Sequence, residues 1–385
     1  MNFWWLVMLT VMNHVSYRGV RVLVSLDAIH LGASPMVIGV LFSLFSVFPA
    51  VLAVVAGRIS DRYGARWPML FGSTGLALGL LLCFARPGLA TLYVATTLIG
   101  ACYIFYIVAG QHLVGAWGGA EDRTRNFSYY SLGNGLTALI GPTLAGFLID
   151  EVGHHYTYLV LAVLPLVPIT FLVFAGRRLP ATQHGEKKAQ GSHYLDLLRR
   201  PPLVRLLLVS GIIETGMELF NFYMPIYANS VGLSATRIGI IMGAYGGAML
   251  VARSVLPYWM RRTSEERVLT MTMALAAGAA VGMPFVQSFA LLIVLSCVLG
   301  LGLGSCTPLA MVLTYNRAPE GRTGEAMGLR QTFNKFTEVL VPIVFGTIGS
   351  AFGVGPAFWF NAVLMSGGVA IMSGEARARA KPKAT

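Results

Sequence analysis

Charged and polar side chains recur at helical spacing inside stretches that are otherwise apolar. Thr10, His14, Arg18, Arg21 and Ser25 are spaced by four, four, three and four residues, which puts them on one stripe of a helix with Tyr17 beside it. Ser210, Glu214, Glu218, Asn221 and Pro225 repeat that stripe 200 residues later. Arg330, Asn334 and Glu338 share a third face with Lys335 at its edge, and Arg253 is in register with Tyr245 and Met249. Guanidinium groups hold carboxylates bidentately and stay charged when buried. Arg18, Arg21 and Arg330, with Tyr17 and Asn334, are therefore candidates for binding an anionic solute. Glu214 and Glu218 lie one turn apart, where two bare carboxylates repel each other. At least one is expected to be protonated or paired with an arginine, which makes both of them, with Glu338, candidate proton carriers. A permanent bridge to Arg18 is the competing reading, and permanent pairs that lock helices together are the competing reading for Arg253 and Lys335.

Chemistry of this kind needs elements that hold charge in an apolar solvent. The chain has 385 residues, 56% of them hydrophobic and only 11% charged, against about 25% charged in a soluble domain. A bilayer core of about 30 Å needs about 20 apolar helical residues. Charge and Gly/Pro clusters divide the chain into twelve such stretches, near 4–26, 36–57, 68–85, 89–115, 127–149, 154–175, 203–229, 235–257, 267–287, 289–315, 326–348 and 355–374. The segments do not alternate apolar and polar residues as barrel strands do, so the expected fold is all-α, a polytopic membrane protein of twelve transmembrane helices. An ionisable residue inside such a span costs about 2.5–3.5 kcal/mol, and is read first as functional. The first apolar run has no basic segment ahead of it and no small-residue cleavage site, so it is read as a span rather than a signal peptide.

The net charge of +12 does not form a basic stripe for nucleic acid; it sits in short loops. Twenty of the 28 Lys and Arg residues fall on one side, in the loops at Arg58–Arg66, Arg123–Arg125, 177–200, Arg261–Arg267 and Arg317–Arg322 and in the tail. Two, Arg86 and Arg237, fall on the other side. That asymmetry predicts both termini cytoplasmic in the inner membrane. The expected organisation is a six-helix half at 1–176, a cytoplasmic linker at 177–202, a second six-helix half at 203–374 and a tail at 375–385. The linker segment 193–200 reads equally as a short surface helix or as plain chain. The four cysteines lie in apolar segments as packing residues. His154 and His155 have no third ligand nearby in sequence, and no metal or other cofactor is expected.

The two halves match without a gap. Gly32, Ser34, Ile38 and Gly39 recur as Gly232, Ser234, Ile238 and Gly239. Asn134, Thr137, Pro142, Gly146 and Gly153 recur as Asn334, Thr337, Pro342, Gly346 and Gly353. One register from the second span to the sixth indicates a duplication, hence two pseudo-symmetric halves, an architecture that places a substrate site at their interface.

The loop after the second span carries Gly57, Asp61, Arg62, Gly64 and Arg66, and it resembles the G-x-x-x-D-R-x-G-R-R signature of the major facilitator superfamily, departing at Ala65. Gly141, Pro142 and Gly146 in the fifth span are similar to the G-P-x-x-x-G element of drug:proton antiporters in that superfamily. The arginine of that branch's fourth span is absent, with Gln111 and His112 nearby instead. The resemblance implies that the first helix of each three-helix unit lines a central cavity, which fits the stripes of spans 1 and 7.

The resulting expectation is a secondary transporter working by alternating access. Five buried cations (Arg18, Arg21, Arg253, Arg330, Lys335) against three carboxylates (Glu214, Glu218, Glu338) leave +2, which favours a small anionic organic solute. There is no ATP-binding loop, so a gradient, of protons or of the solute itself, must supply the energy. Export of amphipathic drugs is the alternative. An enzyme would need a nucleophile–base or metal-ligand constellation and a sensor would need a soluble output domain, and neither pattern is in the sequence. The expected unit is a monomer in the lipid bilayer. Asp61 becomes Arg261 at the repeat offset and Arg125 becomes Glu325, an acid–base reversal. With Arg62, these residues are candidates for a cytoplasmic gate.

Overall fold

The structure, a computed structural model, describes residues 3–117, 123–176, 194–319, 323–353 and 355–380. Its helices are α1 (Phe3–His30), α2 (Pro35–Tyr63), α3 (Arg66–Ala85), α4 (Leu89–Ala116) and α5 (Arg123–Phe174), then α6 (Pro201–Ser230), α7 (Ala235–Met260), α8 (Glu265–Gly282), α9 (Phe289–Arg317), α10 (Thr323–Phe352) and α11 (Gly355–Ala380). No strand occurs among the described residues. The 52-residue α5 breaks at Gly153, whose φ of 79° is non-helical, so it holds two membrane-length helices and the long helices among the described residues number twelve. Tyr194–Arg199 forms a 3-10 turn that runs into α6 at Pro201.

Nine stretches among the described residues are long and apolar enough to cross a membrane, with Tyr129–Phe174 counted once. α1 and α6 are the long helices outside that set, and each carries one of the polar stripes. Those are the two helices in which the sequence concentrates its chemistry.

By its contacts the chain forms two units. The first is Met1–Lys188 with Ala228–Gly243, and the second is Ala189–Tyr227 with Ala244–Thr385. The second unit thus lacks the first turns of α7, which the sequence division at 203 had grouped with it.

The duplication is visible in the backbone. Gly32 and Gly232 take φ of 75° and 80°. After α1, the Gly32 N–H donates to Ile29 O and the Ala33 N–H to Ala28 O; after α6, the Gly232 N–H donates to Asn229 O and the Leu233 N–H to Ala228 O. Each turn satisfies carbonyls that the helix end leaves open. Ser34 and Ser234 then accept from Val37 N–H and Arg237 N–H to cap the next helix.

In the first unit, Arg66 Nε and Nη2 donate to the carbonyls of Leu172 and Val173 at 2.8 and 2.7 Å, placing a cation on the negative end of α5. Asp150 receives the Ala235 and Thr236 N–H groups at 3.1 and 2.8 Å, so one carboxylate caps the first turn of α7. Gly141 lets α5 approach α1 closely; a Cβ there would come within 2.7 Å of Arg18 Cβ. Gly72 does the same for α3 and α4, where a Cβ would come within 2.7 Å of Tyr106 Cβ. Such small residues are how helices pack where lipid removes the hydrophobic drive between them.

Candidate functional site

In the second unit the stripes of α6 and α10 meet. Ser210 Oγ donates to Asn334 Oδ1 at 2.9 Å, and Arg330 Nη1 donates to Ser210 Oγ at 3.3 Å. Arg330 is 2% exposed and Glu218 5%. Glu214 stands among Glu338, Glu218, Lys335 and Arg330, close enough for each of those charges to act on it. Lys335 Nζ bonds Glu338 Oε1 one turn along α10. Arg253 Nε donates to Gly304 O at 3.4 Å, between α7 and α9. Sequence reasoning assigned Arg330 and Asn334 to solute and Glu214, Glu218 and Glu338 to protons. The structure gathers all five in one cluster with Lys335, with Arg330 beside Glu214 and bonded to a hydroxyl of its own unit. In a low-dielectric interior such a pair is retained only when geometry and further hydrogen bonds satisfy it.

In the first unit the equivalent surface is aromatic. Tyr17 stacks on Tyr103 with ring centroids 4.1 Å apart, and Tyr103 on Tyr106 at 5.8 Å and 4°. The edge of His14 meets Tyr103 at 5.4 Å. His14 Nδ1 lies 3.1 Å from Thr10 O, which assigns the Nδ1 proton to that bond when the ring is neutral. Arg18 lies within electrostatic reach of His14 and Tyr103. Arg21 sits 5.0 Å from the ring centre of Phe42, a cation–π contact. Tyr17, Arg18 and Arg21 are thus brought together, and all three are half-buried.

Several residues outside the sequence expectation join this surface. Tyr103, Tyr106 and Tyr130 are buried, with the Tyr106 hydroxyl beside Thr10 and Asn13 and that of Tyr130 beside Asn134. Asp27, one residue beyond the expected first span, is buried and accepts from Tyr158 Oη at 2.8 Å. The repeat register held a signal for part of this, since Tyr130 is the counterpart of Arg330 and Asp27 that of Tyr227.

The expected gate residues are less closely gathered. Arg62, Arg125 and Arg261 are exposed, and Arg62 lies over its neighbour Tyr63. The side chains of Asp61 and Glu325 lie outside the described residues. Arg317 Nη2 lies 3.2 Å from Glu266 Oε1, with Asn316 donating to Glu265 alongside it. No group of three His, Cys, Asp or Glu side chains suited to a metal occurs among the described residues. Two grooves, one lined by Tyr63, Trp67 and Phe105 and one by Trp259, Arg262 and Met271, contain none of the stripe residues.

The family model described as Major Facilitator Superfamily matches residues 6–334 and 280–384. A protein of Dickeya zeae called "Multidrug resistance protein MdtG" is 25% identical over 336 residues, 84% of this chain and 80% of that protein. "Uncharacterized MFS-type transporter YuxJ" of Bacillus subtilis is 22% identical over 345 residues, 87% of this chain and 86% of that one. The crystal structure of the nucleoside transporter NupG superposes with a TM-score of 0.82 over 97% of this chain and 99% of that one, at 14% identity. That likeness concerns the fold.

Proposed function

The chain belongs to the major facilitator superfamily, and from that premise we propose that it is a proton-coupled secondary transporter of amphipathic organic solutes. The observation that carries the proton role is Glu214, set among Glu218, Glu338, Lys335 and Arg330. A carboxylate in that position changes the charge balance of α6 and α10 whenever it gains or loses a proton, and so biases any two arrangements of those helices. The relatives named as multidrug resistance proteins support an amphipathic solute and outward transport. The lopsided Lys/Arg distribution supports cytoplasmic termini.

The test is transport in proteoliposomes with and without an imposed pH gradient. Glu214→Gln is expected to abolish gradient-driven accumulation, by 10-fold or more on the order of magnitude typical of a lost proton-transfer group, while solute exchange without a gradient continues. If Glu214→Gln, Glu218→Gln and Glu338→Gln all accumulate solute like the parent, the proton role fails.

A second reading, an anionic solute, is supported by Arg18 and Arg21 beside the tyrosine stack. It predicts that Arg21→Lys lowers transport of organic acids and spares lipophilic cations. Asp61, Arg62, Arg125, Arg261 and Glu325 remain candidates for cytoplasmic gate contacts within either reading.

A further inference from the structure

The two grooves occupy matching places in the repeat. Ile59, Tyr63, Pro68 and Phe71 line the first, and Trp259, Thr263, Val268 and Met271 line the second, each pair 200 residues apart. The first, about 350 Å³, has only apolar and aromatic side chains in its wall. Its neighbour Arg66 is committed to the carbonyls of Leu172 and Val173. The second, about 420 Å³, has a polar lip. Exposed Trp259, Met271 and Leu275 make its apolar wall, and Arg262 and Thr263 close it where α7 turns into α8. That turn is fixed by the backbone, because the N–H groups of Arg262 and Thr263 both donate to Trp259 O, at 3.0 and 3.1 Å. The Arg262 guanidinium lies 4.7 Å from the ring centre of Tyr258.

The charges of this corner are sorted. Arg261, Arg262 and Arg267, on the turn and the first turn of α8, are all exposed. The two acids between them are drawn elsewhere: Glu266 meets Arg317 at 3.2 Å, and Glu265 accepts from Asn316. Positive charge is therefore left over an apolar slot, and that combination matches a molecule with a long apolar chain and an anionic head. We propose that the groove between α7 and α8 is a selective site for an anionic phospholipid of the surrounding bilayer. The acyl chain runs along Met271 and Leu275, and the phosphate meets Arg262 and Thr263. A guanidinium held on a ring face still presents its N–H edge, which suits a phosphate, and the Thr263 hydroxyl can donate to another phosphate oxygen. Basic pockets between membrane helices hold anionic headgroups in this way. A zwitterionic lipid fills the slot as well, but its own cation opposes the arginines. The proposal is independent of what the chain transports.

Trp259 in the wall supplies the reporter. The full-length protein is placed in liposomes containing brominated phosphatidylglycerol or brominated phosphatidylcholine, whose bromines quench tryptophan on contact. The chain has six tryptophans, so the groove's signal is the quenching that Trp259→Phe removes. That signal is expected to favour phosphatidylglycerol by about 5-fold, the weight of one basic residue at a membrane surface, and to lose the preference as salt is raised. Arg262→Gln should abolish the preference, and Arg262→Lys should keep most of it. Arg200→Gln, which changes an exposed arginine outside the groove, should leave it intact. Equal quenching by the two lipids in the parent overturns the proposal, as does a preference that survives Arg262→Gln. A loss in Arg200→Gln as large as in Arg262→Gln would mean that anionic lipid merely gathers around a positive protein, and overturns it too. Should Arg262→Gln fold poorly, the parent in detergent gives a second measurement. Short-chain phosphatidylglycerol should raise its thermal midpoint more than short-chain phosphatidylcholine does, and equal shifts overturn the proposal.

Discussion

The α6/α10 surface of the second unit and the α1/α4/α5 surface of the first grew from one repeated sequence and now do opposite things with polarity. The second spends its polar groups on itself: Arg330, Ser210 and Asn334 are bonded in series, with Glu214 beside them. The first sets its hydroxyls among rings, with Tyr106 beside Thr10 and Asn13 and Tyr130 beside Asn134. The turns that fix the helices did not diverge in the same way, for Gly32 and Gly232, or Gly153 and Gly353, still share positive φ values. Backbone geometry is constrained because each turn tolerates few residues. Stripe chemistry is free to change as long as each buried charge keeps a counterpart. Duplication thus allowed one stripe to gather charged groups while the other gathered aromatic rings.

The largest effect that tests this contrast is the loss of Arg330. Removing one partner from a buried ionic cluster costs about 3–5 kcal/mol, because the charges it faced are left uncompensated. Arg330→Met should therefore sharply lower the yield of monodisperse protein in detergent. Adding Glu214→Gln should recover much of that yield, since the double change removes charge of both signs. At the matching position of the first unit, Tyr130→Phe should leave the yield unchanged. If Arg330→Met is as mild as Tyr130→Phe, the closed cluster does not hold α6 to α10.

A middle-sized effect compares the next matched pair, Asp27 and Tyr227. Tyr158 Oη donates to the buried Asp27 carboxylate, whereas Tyr227 Oη donates to the carbonyls of Pro284 and Val286 at 3.2 and 3.0 Å. A hydrogen bond to a charged group is worth about 1.5–3 kcal/mol and a neutral one about 0.5–1.5. Tyr158→Phe should thus lower the midpoint of thermal unfolding more than Tyr227→Phe does. In an Asp27→Asn background the Tyr158→Phe penalty should shrink to the neutral value, and a penalty of full size there would mean that the Asp27 side chain does not set it.

Much of the architecture was legible before any coordinates, and the reason is physical. Apolar runs of bilayer length, glycines at turns and a constant offset are local signals, so the helix count and the division of spans near Gly153 could be read directly. The stripes of α1 and α6 were equally plain, because an ionisable residue in lipid is costly enough to stand out. What could not be read is which groups find partners. Tyrosine counts as nearly apolar in a hydropathy pattern, so Tyr103, Tyr106 and Tyr130 became visible only when the fold buried them together. Arg330 looked like a solute ligand because the sequence shows its charge and its face, but not that Ser210 and Glu214 lie opposite. Asp27 was passed over because it lies just past the apolar run, where a charge usually meets water.

The smallest effect probes what the two sequence repeats still share. Gly32 and Gly232 end α1 and α6 with φ of 75° and 80°, and a Cβ at either would meet nothing within 4 Å. Crowding therefore contributes nothing, and an alanine there feels only the backbone strain of the left-handed region, about 1–2 kcal/mol per residue. The two turns make the same pair of backbone hydrogen bonds, so Gly32→Ala and Gly232→Ala should lower thermal stability by nearly equal amounts. Asparagine visits the left-handed region more readily than alanine does, so Gly32→Asn and Gly232→Asn should each recover part of the loss. Matched penalties with matched asparagine rescue would show that both turns are governed by the same local geometry, whatever chemistry their helices carry. A large loss at one site with none at the other would mean that the similar dihedral angles conceal different constraints, and the contrast between conserved turns and diverged stripes would have to be redrawn.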